Sequence, residues 1–256
     1  MVLVWQAPIV FLAAFTAGMI NSVAGGGTLV TFPTLVWIGR DPILANVTST
    51  VALWPGSLGA MLGFRRELGD SHRWMLLLAA PSVLGGLLGA YLLLRTPSRV
   101  FAAIVPYLIL FATVLFAAQE TITRLLGSDA HARRHQSRAW WIGAAAFQFC
   151  VAVYGGYFGA GIGILMLAAL GLLGLTDIHQ MNGLKNFFAV CINLIAAAYF
   201  VLWGTVNWGD AGVMAIGAVA GGYGGAGLAR RLGRQFVRRT VVIIGLTMAV
   251  SLFFRR

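Results

Sequence analysis

The sequence predicts an all-α polytopic membrane protein made of two inverted-topology repeats, each a broken, re-entrant helical hairpin followed by three transmembrane helices. Three observations predict this fold: a very apolar composition, two halves that match at scarce polar positions, and arginines that change places between corresponding connections. Of the 256 residues, 59% are hydrophobic and 10% are charged, whereas a soluble domain carries about 25% charged residues. The composition therefore excludes an ordinary soluble protein.

Ten apolar stretches separated by short polar connections make up most of the chain. Several reach roughly 18 residues, the length that an α-helix needs to cross a hydrocarbon layer about 30 Å thick. In chain order they are Val2–Ile20, Thr28–Ile38, Ala45–Phe64, Trp74–Leu94, Val100–Ala118, Ala139–Tyr154, Ile162–Leu175, Leu184–Leu202, Ala211–Ala229 and Thr240–Phe254. The pattern predicts a protein that crosses the membrane several times.

An internal repeat divides the chain into residues 1–118 and 139–256, joined by a basic linker at 119–138 that we expect in the cytoplasm. Sliding the second half back by 136 positions aligns three pairs of polar residues: Asp41 with Asp177, Asn46 with Asn182, and Arg95 with Arg231. Polar residues are scarce in this chain, so these coincidences carry more weight than matches between leucines or glycines. They indicate a duplicated protein.

The distribution of arginine predicts that the two halves have opposite topology. Arg65, Arg66 and Arg73 lie in a connection whose counterpart, Trp203–Asp210, has no basic residue. The next connection is richer in arginine in the second half. Short arginine-rich loops stay in the cytoplasm, so opposite topology is the simplest account. It requires three crossings in each half, with the broken first segment forming a hairpin. The alternative is eight crossings with both broken segments spanning.

Glycines interrupt the first apolar run of each half. The first break includes Gly25, Gly26 and Gly27, and the second includes Gly159 and Gly161. Each glycine disfavours helix by about 1 kcal/mol relative to alanine, and paired breaks in the two halves of a membrane protein point to a transport site. The alternative is close helix packing through small residues, which is the reading we prefer for Gly85 and Gly221.

Helices that restart near Thr28 and Ile162 would direct amide N–H groups and the positive ends of their dipoles to the protein interior. Helix N-termini bind anions in this way. The breaks therefore predict an anion site.

A second polar cluster combines Asn46 and Ser49 of the first half with Asn182, Lys185 and Asn186 of the second. Lys185 is the only lysine and aligns with Ser49. A charge at membrane depth is costly and is a functional candidate. The alternative is a lysine that extends its ammonium to the lipid headgroups.

These residues resemble a known family. The glycine-rich first break, the segment Asn46-x-Thr48-Ser49, its repeat Asn182-x-x-Lys185 and the dipeptide Arg73-Trp74 are similar to the sulfite exporter TauE/SafE family of bacterial permeases. The resemblance implies a multi-pass protein of the bacterial plasma (inner) membrane that exports sulfite or organosulfonates such as sulfoacetate. The second break departs from the family's plainer glycine-rich pattern at Tyr154 and Tyr157.

Together, the breaks, the polar cluster and the resemblance predict a transporter that moves a small anion by alternating access around a midplane site. An anion channel or uniporter with the same dipole-lined site is the alternative. No enzyme, cofactor, metal or nucleic-acid partner is expected, and the coupling ion and oligomeric state stay open. The expected substrate-binding residues are Asn21, Gly25, Gly26, Gly27, Thr28, Asn46, Ser49, Tyr157, Gly159, Gly161, Asn182, Lys185 and Asn186.

Overall fold

The computed structural model describes residues 6–23, 26–63, 68–128, 138–173, 175, 177–232 and 234–254. These residues form ten α-helices and one short 3₁₀ turn, Gly69–Ser71, and contain no strand. The helices are α1 (Gln6–Val23), α2 (Thr28–Trp37), α3 (Pro42–Gly63), α4 (His72–Arg95), α5 (Ser98–Ser128), α6 (Arg138–Tyr157), α7 (Ile162–Leu172), α8 (Ile178–Trp203), α9 (Trp208–Leu232) and α10 (Arg234–Phe254). The all-α prediction is confirmed for this part of the chain.

Three of the described helices are long and apolar enough to cross a membrane: His72–Arg95, Ser98–Ala118 and His179–Trp203. Large apolar side chains such as Leu76, Ile142 and Ile216 are exposed on the outer faces of the bundle, as expected where lipid replaces water. These features fit the predicted polytopic membrane protein. Arg65, Arg66 and residues 129–137 of the predicted linker lie outside the described residues.

Equivalent helices of the two halves begin at equivalent positions. The starts of α3 and α8, of α4 and α9, and of α5 and α10 are each separated by 136 residues. Contacts between helices follow the same correspondence: α1 packs on α9 as α6 packs on α4, and α3 packs on α9 as α8 packs on α4. The two halves therefore interlock, with one pattern of helix packing used twice.

Small residues make the main helix crossings close. A side chain at Gly221 of α9 would meet the Phe15 carbonyl of α1, and one at Gly85 of α4 would lie 2.6 Å from the Phe149 carbonyl of α6. Backbones approach this closely only where side chains are very small. The packing interpretation of Gly85 and Gly221 is confirmed.

The bundle has two ends, which we name by one residue each. At the Arg40 end, Arg40 follows α2 and contacts Gln6 of α1 and Asp210 of α9. At the Ser71 end, Ser71 precedes α4 and accepts a hydrogen bond from Gln180 of α8. Arg40 and Ser71 lie beyond opposite ends of α3, a helix of 22 residues. The two ends are thus separated by about 33 Å, at 1.5 Å per residue.

The broken segments form hairpins. Arg40 Nη2 donates a hydrogen bond to Gln6 Oε1 at 3.1 Å, so the start of α1 and the chain just after α2 lie at the same end. In the second half, Trp140 near the start of α6 and Leu173 beyond α7 line one apolar groove. With 10 and 11 residues, α2 and α7 extend only about 15 Å. Each hairpin therefore returns toward the end from which it entered.

Candidate functional site

The first glycine break separates α1 from α2. Gly26 has φ 97°, a left-handed conformation that favours glycine, and α2 begins at Thr28. The Gly27 N–H donates to Asn21 Oδ1 at 2.8 Å, so a side chain of α1 caps the restarting helix. The predicted restart near Thr28 is confirmed.

The second glycine break separates α6 from α7. Gly159 and Gly161 have φ 76° and 75°, and α7 begins at Ile162 as predicted. The Tyr154 hydroxyl donates to the Ala160 carbonyl at 2.6 Å, which fixes the loop against α6. Tyr154, which departs from the plainer glycine-rich pattern, therefore holds the break in place.

A small cavity of about 70 Å³ lies between the two breaks. That volume holds about five water molecules or one small solute. α3 and α8 provide most of its remaining wall. The lining residues are Asn21, Gly26, Thr28, Thr50, Leu53, Ser57, Phe158, Gly159, Ile162, Gly163, Lys185, Asn186, Ala189 and Asn193.

The structure brings six of the predicted substrate-binding residues together in this lining: Asn21, Gly26, Thr28, Gly159, Lys185 and Asn186. The other predicted residues with described positions do not line it, namely Gly27, Asn46, Ser49, Tyr157, Gly161 and Asn182. Gly25 lies outside the described residues. Substrate binding by any of these residues stays a prediction.

Several residues next to the cavity join the broken hairpins to α3. Asn46 Nδ2 donates to the Tyr157 carbonyl at 2.9 Å, and Ser49 shares a hydrogen bond of 2.7 Å with Thr31 of α2. Asn46 and Ser49 are both buried. They hold the ends of α6 and α2 at the edges of the cavity.

Eight further residues line the cavity and are not among the predicted ones: Thr50, Leu53, Ser57, Phe158, Ile162, Gly163, Ala189 and Asn193. Four pairs among the lining residues are 136 positions apart: Gly26 with Ile162 in the breaks, and Thr50 with Asn186, Leu53 with Ala189 and Ser57 with Asn193 on α3 and α8. The repeat offset, applied to every polar residue inside an apolar helix, was the signal that would have found Ser57 and Asn193. The cavity therefore lies where equivalent faces of α3 and α8 meet.

Lys185 makes the cavity electropositive. Its side chain is only 6% exposed, and a Cβ added at Gly163 in the first turn of α7 would lie 3.3 Å from Lys185 Cδ. The ammonium thus does not extend to the headgroups, which was the alternative reading of this residue. The positive dipole ends of α2 and α7 point toward the same space, and no carboxylate occurs among the described lining residues. An anion is the ligand that this field favours.

Clusters of three or more histidine, cysteine, aspartate or glutamate side chains suited to a metal ion do not occur in the described ranges of the chain. The polar groups around the cavity are instead an ammonium group, amides, hydroxyls and helix N-termini. Such a set recognises a solute by charge and hydrogen bonds.

A helical bundle that buries a polar, cationic cavity between two broken hairpins is typical of membrane transport proteins. Comparison with known proteins identifies the family. The model of the family "Sulfite exporter TauE/SafE" matches residues 10–252, and the chain belongs to this family.

The chain is similar to curated proteins over nearly its whole length. It is 30% identical over 251 residues to a probable membrane transporter protein of Haemophilus influenzae, covering 96% of this chain and 94% of that protein. It is 27% identical over 246 residues to the probable membrane transporter protein YfcA of Escherichia coli K12, covering 96% and 89%. No solved structure matches the chain. The protein is a membrane transporter by family and by relatives, which are described as transporters and not as enzymes.

Proposed function

We propose that this transporter moves small sulfur-containing anions, such as sulfite or organosulfonates including sulfoacetate, by alternating access around the cavity. The observation that carries the proposal is the burial of Lys185 beside the N-termini of α2 and α7, in a cavity with no carboxylate among its described lining residues. Helix N-termini are suited to sulfur oxyanions. The family is described as one of sulfite exporters, which supports the substrate class and the direction.

Within this proposal, Lys185 supplies net charge and Asn21, Thr28 and Asn186 orient the anion. Backbone amides near Gly26 and Gly159 complete the first contacts, with Gly25 next to them in the chain. Asn46, Ser49, Tyr157, Gly27, Gly161 and Asn182 position the breaks around the substrate. The hydrogen bonds of Asn46 with Tyr157 and of Gly27 with Asn21 support these positioning roles.

The proposal includes inverted halves and re-entrant hairpins. The connection containing Arg40 is equivalent to the one that precedes Gln180, and these connections lie at opposite ends of the bundle. Rocking of such halves about a central site gives alternating access. Arg73 lies at the Ser71 end, and the sequence assigns Arg65, Arg66 and the linker to it too. We therefore place this end in the cytoplasm of a bacterial cell, with the protein in the plasma membrane.

The test is flux of radiolabelled sulfite, sulfoacetate and sulfate in proteoliposomes. Lys185→Met keeps an apolar stem against Gly163 but removes the charge. Loss of a charged hydrogen bond in a buried site reduces binding by about ten- to a hundredfold, so we expect at least tenfold lower flux at subsaturating substrate. The matched control is Arg95→Met, which removes an exposed cation that stacks on Tyr91 outside the cavity.

Equal flux through wild type and Lys185→Met would contradict the proposed site. Stimulation of sulfite flux by unlabelled substrate on the opposite side supports a carrier. Single-channel currents would instead support the anion channel or uniporter.

A further inference from the structure

Hydrogen bonds to the backbone fix the role of two hydroxyl groups in the α3 wall of the cavity. The Thr50 hydroxyl donates its proton to the Asn46 carbonyl at 2.9 Å, and the Ser57 hydroxyl donates to the Leu53 carbonyl at 3.4 Å. A hydroxyl has one proton and two lone pairs. With the proton committed, each oxygen acts toward the cavity as an acceptor.

Two other lining side chains act as donors. Asn21 Oδ1 is occupied by the Gly27 N–H at 2.8 Å, so the Asn21 amide retains its N–H₂ group as a donor. Lys185 carries an ammonium, which donates and never accepts. The cavity therefore combines an electropositive donor region with a separate acceptor region.

Equivalent positions of the two halves show the same division. Ser49, Thr50 and Ser57 of α3 align with Lys185, Asn186 and Asn193 of α8. Each hydroxyl of the first half thus corresponds to a nitrogen donor in the second. An anion that presents acceptors on every side accepts hydrogen bonds from the nitrogen donors of α8. It offers no donor to the hydroxyl oxygens of α3.

We infer that the preferred ligand is a singly charged sulfur oxyanion that also carries an O–H or N–H donor. Its anionic oxygens lie toward Lys185 and Asn21, and its donor lies toward Thr50 and Ser57. One cationic side chain among the described lining residues balances one negative charge. This inference rests on the proposed function and narrows it: hydrogen sulfite and hydroxyl-substituted sulfonates fit, whereas sulfate and sulfoacetate, both doubly charged and without a donor, fit less well.

Two probes of equal charge and nearly equal shape test the inference. 2-Hydroxyethanesulfonate carries a hydroxyl where propane-1-sulfonate carries a methyl group. We expect the purified full-length protein to bind the hydroxylated probe about tenfold more tightly, since the methyl group leaves the half-buried acceptors of Thr50 and Ser57 unpaired. The measurement is calorimetric or thermal-shift titration in detergent, with sulfate and sulfoacetate as further probes.

Three variants assign the preference to Thr50. Thr50→Val keeps the shape and removes the acceptor, so we expect the tenfold preference to fall below threefold. Thr50→Ser restores the hydroxyl and should restore the preference, which a purely structural role would not require. The matched control is Thr34→Val on α2, outside the cavity, where the lost hydroxyl also donates to a carbonyl one turn earlier, that of Val30, at 2.7 Å.

Equal affinity for the two sulfonates, or a preference unchanged in a folded Thr50→Val protein, would overturn the inference. So would tighter binding of sulfoacetate or sulfate than of 2-hydroxyethanesulfonate, or no binding of either sulfonate probe. If Thr50→Val does not fold, Ser57→Ala takes its place with the same expected loss of preference. Lys185-dependent sulfite flux is measured separately, so the proposed function can stand when this inference falls.

Discussion

The two halves of the chain contact each other at both ends of the bundle, but the contacting groups differ: charged at the Arg40 end and neutral at the Ser71 end. At the Arg40 end, the Arg40 guanidinium contacts both carboxylate oxygens of Asp210, at 2.7 and 3.3 Å, and Asp210 is fully buried. The Asn207 N–H adds a hydrogen bond to Thr48 at 3.1 Å. At the Ser71 end, the equivalent of Asn207 is Ser71, which accepts one neutral hydrogen bond from Gln180 at 3.0 Å.

This difference shows which features the two halves share. Positions equivalent to Arg40 and Asp210 hold Thr176 and Trp74, which cannot form an ion pair with each other. The helix crossings between the ends remain alike, because close packing of α1 on α9 and of α6 on α4 restricts both surfaces. Connections lie at the surface and tolerate change more readily.

Removing the negative charge of Asp210 tests how much the ion pair at the Arg40 end contributes to the free energy of unfolding. This substitution has the largest expected effect on stability. Asp210→Asn keeps the side-chain shape but leaves the Arg40 guanidinium beside a neutral amide. Breaking a buried ion pair from one side destabilises a protein by about 3 kcal/mol. We expect a loss of this size in the free energy of unfolding, measured by titration with a denaturing detergent and followed by tryptophan fluorescence.

Ser71→Ala is the comparison at the other end. It removes the neutral hydrogen bond from Gln180, and a bond of this kind contributes about 1 kcal/mol. Similar losses of unfolding free energy in Asp210→Asn and Ser71→Ala would mean that the contacts at the two ends contribute equally to stability, contrary to the structure.

The helix crossings should respond alike in the two halves, in contrast to the ends. Gly221→Ala places a methyl group against the Phe15 carbonyl, and Gly85→Ala places one against the Phe149 carbonyl and Ala152. Such overpacking destabilises by about 2 kcal/mol, so we expect comparable decreases in the midpoint of thermal unfolding in detergent.

Glycines of α9 and α6 that face open space provide the controls for the two crossings. A Cβ at Gly212 of α9 or Gly143 of α6 has no neighbouring atom within 4 Å. Alanine at these sites is neutral or slightly stabilising because it favours helix. A large loss in only one of Gly221→Ala and Gly85→Ala would argue against equivalent crossings.

Local signals in the sequence predicted the helix breaks and the repeat. Glycine disfavours helix, and glycines stand at matching positions of the two halves just before Thr28 and Ile162, so their placement predicted the restarts there. The pair Arg40 and Asp210 was not predictable in this way. The two residues are 170 positions apart, and no local pattern links one arginine among many to one aspartate.

The candidate site was predictable only in part, because the sequence shows which residues are polar but not which of them face the cavity. Lys185 and Asn186 were noticed as polar residues inside an apolar region, and they line the cavity. Asn46 was noticed on the same grounds, yet it bonds the Tyr157 carbonyl beside the cavity. Sequence identifies a polar residue at membrane depth, but the rotation of α3 about its axis decides whether that residue faces the cavity or a neighbouring helix.

Asp41 and Asp177, which align between the two halves, provide the comparison with the smallest expected effect on stability. Asp41 Oδ1 accepts from the N–H groups of Ile43 and Leu44 at 2.9 and 3.3 Å, and Asp177 Oδ1 accepts from the His179 N–H at 2.8 Å. Each caps the start of an equivalent helix, α3 or α8.

Removing an N-cap costs about 1 kcal/mol, so Asp41→Ala and Asp177→Ala should each lower the free energy of unfolding by that amount, with the larger loss at Asp41. Asparagine keeps the accepting oxygen, so Asp41→Asn and Asp177→Asn should retain most of the stability. If the asparagine variants lose as much as the alanine variants, the charge and not the cap explains why both halves carry an aspartate here.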